Sequence, residues 1–136
     1  MPTHTHIFLN LPVKNVKKSV AFFTALGYGF NPQFAGDHSA CVVFGDTVSV
    51  MLTTHDQFAK LSPLPVADPF KTKEILISLA CSSRAQVDDL VQKAVAAGGT
   101  IFEDATDHGF MYDHSFIDPD GHGWGLFWMN PDHGQK

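Results

Sequence analysis

Basic side chains are scarce in this sequence. Nine lysines and arginines stand against 14 acids, the formal net charge is −5, and no basic cluster occurs anywhere in the 136 residues. Such a chain has no concentrated positive charge with which to neutralise a phosphate backbone, so nucleic acid is not expected as a partner, nor an anionic membrane surface. Long apolar runs are missing too, since none approaches the roughly 20 residues that cross a bilayer. There are two cysteines. Cys41 and Cys81 each lie in an apolar, strand-like run, where reduced core thiols are expected rather than a disulfide. The opening MPTHTHIFLNLPV has no basic segment followed by a long apolar one, so no signal peptide is read and a cytoplasmic location is expected. G-x-S-x-G, phosphate-loop and paired-Cys zinc motifs are all absent.

What is abundant is phenylalanine, with twelve residues, enough to build a core or a pocket from rings. The apolar pattern is written twice. Ile7–Val13 alternates as a strand and Asn15 offers a helix N-cap. Val16, Val20, Phe23 and Leu26 then follow at helical spacing up to Gly27. Three strands are predicted next, near Phe30–Ala35, Ala40–Phe44 and Val48–Leu52, with turns at Gly36-Asp37 and Gly45-Asp46. The second half repeats the order. Ile75–Cys81 reads as a strand, Ser83-Arg84-Ala85-Gln86 as a capping box, and Val87, Leu90, Val91 and Ala94 as a helix face ending at Gly98-Gly99. Strands near Thr100–Glu103, Met111–Ile117 and Trp124–Met129 complete it. Each half is β-α-β-β-β, with module 1 at about 1–62, a proline-bearing linker at 63–73 and module 2 at about 74–136.

Two such modules, the second carrying F-x-D-P-D-G-H-x-W over Phe116–Trp124, resemble the vicinal oxygen chelate superfamily of glyoxalases, bleomycin-resistance proteins and extradiol dioxygenases. NLPVKNVKKSVAFFTALGY, Val87–Gly99 and Asp118-Pro119-Asp120-Gly121 carry the likeness, which runs over essentially the whole chain and is nearest to the small bacterial glyoxalase-like branch. The resemblance implies an α+β fold, a cup-shaped mixed sheet with helices on its outer face, and a homodimer. It implies no single function, because the superfamily hosts unrelated chemistries.

Metal-dependent members of that superfamily place His and Glu ligands on the first and fourth strands and at equivalent places in the second module. There a divalent metal stabilises an enediolate or orients substrate oxygens. Carried onto this sequence, the four positions fall on Phe8, Met51, Leu76 and Gly125, none of which ligates a metal. No metal and no other cofactor are therefore expected at the usual site.

The eight histidines offer an alternative. His4 and His6 share a strand face but are expected to belong to a frayed, solvated end. His108, His114 and His122 surround the last hairpin and are the ligands of a relocated divalent-metal site, if there is one. His38, His55 and His133 are placed in exposed loops. Tyr112, His114 and Phe116 alternate with Asp113, Ser115 and Ile117, and one set should face the cup. His114 is thus a candidate for a catalytic acid or base, with a hydrogen-bonding rim residue as the alternative. Asp118 and Asp120 are expected to cap backbone amides in their turn, and neither cysteine has the surroundings of a nucleophile.

Strand parity gives the expected pocket lining: Phe8, Asn10, Ser49, Met51, Leu76, Ser78, Gly125 and Phe127. That surface is apolar with a few hydroxyl and amide groups, the composition of a small-molecule site, and Gly125 would open space in it. The leading expectation is a metal-independent, bleomycin-resistance-like protein that binds or sequesters a small molecule. The alternative is a metal-dependent lyase, isomerase or dioxygenase using displaced histidines.

Overall fold

The computed structural model describes residues 1–132. The chain divides into two compact units, Met1–Ala67 and Asp68–Lys136. In the first unit, β1 (Ile7–Val13) leads into α1 (Val16–Leu26), β2 (Gly29–Phe30), β3 (Ser39–Val43), β4 (Val48–Thr54) and α2 (His55–Leu61). Its mixed sheet has the order β1-β4-β3-β2, with β1 and β4 parallel. The second unit repeats the plan with β5 (Leu76–Ala80), α3 (Arg84–Ala96), β6 (Thr106–Asp107), β7 (Met111–Ile117) and β8 (Gly123–Met129), ordered β5-β8-β7-β6 with β5 and β8 parallel. This is the predicted α+β class, built from two β-α-β-β-β modules. Among the described residues no helix is long and apolar enough to cross a membrane.

The helices start and stop where local chemistry says they should. Asn15 accepts from the Lys18 amide, and Gly27 closes α1 at φ 102°, a left-handed conformation that costs glycine little. Ser83 Oγ likewise accepts from the Gln86 amide. The reciprocal arm of that box is displaced by one residue, for Gln86 Oε1 reaches the amide and hydroxyl of Ser82. Buried faces then dock the helices. Phe22, Phe23 and Leu26 cover the side of the first sheet that carries Leu11, Val13, Val42, Val50 and Leu52, all buried. Val87, Leu90, Val91 and Ala94 cover the side of the second sheet that carries Phe116, Trp124 and Leu126.

Three elements depart from expectation. The strand expected at Phe30–Ala35 is only Gly29–Phe30. Asn31 then caps the Gln33 amide and Pro32 opens a 3₁₀ turn through Phe34, because proline fixes φ and removes a ladder donor. His55, expected in a loop, is the first residue of α2, capped by Thr54. That helix buries no residue, so it leaves no apolar period to read.

The strand expected at Thr100–Glu103 is the third. Thr100 pairs with Ile117, but the ladder resumes only at Thr106, opposite Asp113. Six steps on one side (100 to 106) face four on the other (117 to 113), so the segment 101–105 bulges by two residues. Phe102, in the bulge, is 65% exposed.

Candidate functional site

The F-x-D-P-D-G-H-x-W motif is a structural knot. Asp118 is 4% exposed, and its Oδ1 accepts from the amides of Asp120 and His122 at 2.9 and 3.0 Å. Trp124 donates Nε1–H to Oδ2 at 2.9 Å. Burial pushes the carboxyl above its ordinary range, partly opposed by the positive charge available on His122 and by the donors aimed at it. Gly121 completes the turn at φ 91°, and a Cβ there would meet the Phe70 ring at 3.0 Å. The capping role expected of Asp118 is thus seen directly, and its carboxylate is committed to the turn.

Beside this knot, the second sheet has an open face. In the register of β5, β7 and β8, Ser78 lies opposite Gly125 and Gly125 opposite Ser115, while Asp113 lies opposite Phe127. These residues share the face turned away from α3. A cavity of about 370 Å³ opens here, lined by Ser78, Glu103, Met111, Asp113, His114, Ser115, Gly125, Leu126 and Phe127. Gly125 carries no Cβ, and one built there would stand 3.2 Å from Ser78 Oγ. The gap left by that missing side chain lies between the two serines.

Of the eight residues expected to line a pocket, Ser78, Gly125 and Phe127 line this cavity. Leu76 lies on the same face of the second sheet, opposite Gly123, and is exposed. Phe8, Asn10, Ser49 and Met51 share one face of the first sheet, Phe8 opposite Ser49 and Asn10 opposite Met51. Ser49 is 2% exposed there and held by His6 Nε2 at 2.8 Å. His6 also stacks on Phe8 at 4.3 Å, so it is not part of a frayed end. Its anchor, Ser49, lies 43 positions away, beyond the reach of any local pattern.

The remaining histidines separate. His108 Nε2 contacts Asp113 Oδ2 at 3.2 Å, and His114 Nε2 contacts the Glu103 carbonyl oxygen at 3.0 Å. A carbonyl only accepts, so His114 carries its proton on Nε2 in that bond and keeps Nδ1 as the acceptor when neutral. His122 is buried within the Asp118 turn, and His133 lies outside the described residues. Tyr112 and Phe116 are on the α3 side: Tyr112 donates its hydroxyl to Asp88 Oδ1 at 2.6 Å, which, with partial burial, raises its pKa. Arg84 lies over the rings of Tyr112 and Trp128 and makes a two-pronged pair with Asp107, which holds that carboxyl below its usual range. Cys41 and Cys81 are both free thiols. Cys41 is buried in β3, whereas Cys81 lies just past β5, half-buried, with its pKa raised by burial.

A family model described as the glyoxalase/bleomycin resistance protein/dioxygenase superfamily matches residues 4–126. The chain belongs to that superfamily. Among solved structures, this glyoxalase-superfamily chain is similar to a hypothetical protein from S. aureus, 29% identical over 93% of this chain and 95% of the other, with a TM-score of 0.79. It is also similar to a glyoxalase-related enzyme from Fulvimarina pelagi (18% identity, 91% and 86% covered, TM-score 0.77). A glyoxalase/bleomycin resistance protein/dioxygenase family enzyme from Burkholderia phytofirmans PsJN is a third relative (17%, 90% and 97%, 0.74). The last two establish a shared fold. No curated protein matches the sequence.

The four positions onto which the resemblance carries metal ligands do not offer a His/Glu donor set. Phe8, Met51, Leu76 and Gly125 present a phenyl ring, a thioether, an isobutyl group and no side chain at all. Among the described residues no group of three or more His, Cys, Asp or Glu side chains is placed to hold a metal ion.

Proposed function

We propose that this protein binds or sequesters a small molecule without a metal, in the cavity beside Gly125, and that it does so as a cytoplasmic homodimer. The observation that carries the proposal is the cavity itself. Its volume of about 370 Å³ lies within the range of small-molecule sites, roughly 300–1,000 Å³. Its wall combines the apolar side chains of Met111 and Phe127 with the hydroxyls of Ser78 and Ser115, the carboxylates of Glu103 and Asp113, and His114, so apolar surface and orienting polar groups meet in one place. Gly125 supports the same assignment twice, because it supplies space where a ligating carboxylate would otherwise stand. The alternative, a metal-dependent lyase, isomerase or dioxygenase on His108, His114 and His122, needs three donors to converge. These three have different partners, in Asp113, the Glu103 carbonyl and the Asp118 turn.

The test is made on tag-free protein. Elemental analysis is expected to find less than about 0.1 metal per chain, with no thermal stabilisation on adding Zn, Mn, Fe or Ni. Small aromatic and aliphatic probes should stabilise the wild type saturably and leave Gly125→Leu unaffected. Stoichiometric metal would overturn the metal-independent half of the proposal, and stabilisation of both proteins alike would overturn the site. Light scattering at twice the chain mass is expected for the homodimer.

A further inference from the structure

The bulge at 101–105 does more than open space, because it leaves Ser115, at the edge of the cavity, without a strand partner on that side. Ile117 exchanges both backbone hydrogen bonds with Thr100, at 2.7 and 2.9 Å, and the Met111 carbonyl accepts from the His108 amide at 2.7 Å. Backbone groups of the odd-numbered residues of β7 therefore point towards β6. Asp113 finds its partner there in Thr106. Ser115, midway between Asp113 and Ile117, lies opposite the two-residue excess, and no residue of 101–105 pairs with it. Its N–H and C=O are thus turned towards the bulged segment, at the edge of the cavity that Ser115 and Glu103 both line, as a donor and an acceptor at strand spacing.

An unpaired strand segment is satisfied best by a group that returns both bonds, and a secondary amide does so. The charge around it is one-sided. Glu103 and Asp113 line the cavity, and no lysine or arginine among the described residues does. His108 shares Asp113, and His114 is turned to the Glu103 carbonyl. The apolar part of a ligand has Met111 and Phe127 to pack on.

We infer that the cavity takes an amine-bearing amide, an aminoacyl amide in chemical class, whose amide pairs with the backbone of Ser115 and whose ammonium lies among Asp113 and Glu103. This rests on the small-molecule assignment and goes beyond it by naming what is recognised. The amide bond supplies direction, since a strand edge accepts its partner in one register. The carboxylates supply the preference for a cation, which weakens as salt screens it.

Four probes on one skeleton separate the contributions: phenylalanine N-methylamide, its methyl ester, the desamino analogue 3-phenylpropionic acid N-methylamide, and 3-phenylpropionate. Affinities are read by calorimetry. The amine-amide should bind about tenfold or more tighter than either the ester, which lacks the N–H donor, or the desamino amide, which lacks the charge, with 3-phenylpropionate weakest. Asp113→Asn and Glu103→Gln should each lower the ratio between amine-amide and desamino amide. In ¹⁵N spectra of the whole chain, the Ser115 amide should exchange with solvent faster than that of Ile117 and shift most on adding the amine-amide. Equal binding of amide and ester, or tighter binding of the carboxylate, overturns the inference while leaving a binding cavity intact. Failure of all four probes, in a protein that other small molecules stabilise at Gly125, overturns the inference alone. If nothing binds at that site, the small-molecule assignment falls with it.

Discussion

Trp124 and Asp118 are joined across the last turn by a 2.9 Å hydrogen bond from Nε1 to Oδ2, with both side chains almost wholly withdrawn from solvent. One carboxylate thus satisfies three donors: an indole N–H and the amides of Asp120 and His122. A carboxylate has two acceptor oxygens for them, whereas an asparagine side chain offers one acceptor and turns an NH₂ towards the rest.

Asp118→Asn should therefore destabilise the fold by about 2–3 kcal/mol, measured by urea unfolding. Burial raises the carboxyl pKa in the folded state above its unfolded value, so the folded chain holds this proton more tightly. The contribution of Asp118 to stability then falls as pH rises through the ordinary carboxylate range. The gap between wild type and Asp118→Asn should accordingly widen as pH is lowered through that range. A gap that narrows would show that the hydrogen bonds to the charged form outweigh desolvation.

Tyr112 ionises late. Its bond to Asp88 is the main cause, with burial second, so its folded pKa lies above the unfolded one. Stability from this contact is fully present below the unfolded tyrosine pKa and is lost as pH climbs through the folded value. Phenolate absorbance should show a component above the usual tyrosine range, and Asp88→Ala should bring it down. An unchanged titration would remove the Tyr112–Asp88 bond from the account.

His6→Ala deprives the buried Ser49 hydroxyl of its 2.8 Å partner and Phe8 of its stacked ring. A loss of about 1–2 kcal/mol is expected in equilibrium unfolding. Ser49→Ala in the His6→Ala background should cost little more, because the donor–acceptor pair is removed as a unit. Additive losses would mean that the two side chains act separately.

Gly125→Ala places a methyl group 3.2 Å from Ser78 Oγ, a side-chain atom able to rotate aside. Stability should change by less than about 1 kcal/mol, since a strand tolerates alanine at least as well as glycine. Affinity for cavity probes should drop, because the methyl group occupies the space between Ser78 and Ser115. A variant with wild-type affinity would place the bound molecule elsewhere.

Local chemistry made much of the fold legible. Asn15, Gly27 and Ser83 mark helix ends because their effects act within four residues. Alternation placed Ser78, Gly125 and Phe127 on one face because a strand has only two. What escaped was longer in range or weaker in pattern. Asn31-Pro32 overrode an apolar run, and α2 has no buried stripe to betray it. His6 finds Ser49 only in three dimensions. The polar contribution of Ser115 is harder still, for it comes from backbone groups that every residue carries and depends on a mismatch between two segments, not on a residue type. The side chains at Phe8, Met51, Leu76 and Gly125, in contrast, are legible as identities alone.

The segment 101–105 is pinned at both ends, by Thr100 on Ile117 and by Thr106 on Asp113. Between those anchors its tie to the sheet is no ladder but the contact of the Glu103 carbonyl with His114. Exchanges of side chain between those two anchors leave the β7–β8 ladder its own pairing, and the contact to His114 is made by a backbone carbonyl that any residue supplies. Such a lineage can change what it recognises at little cost in foldability, and relatives are expected to diverge first here, while the Asp118 turn stays as it is.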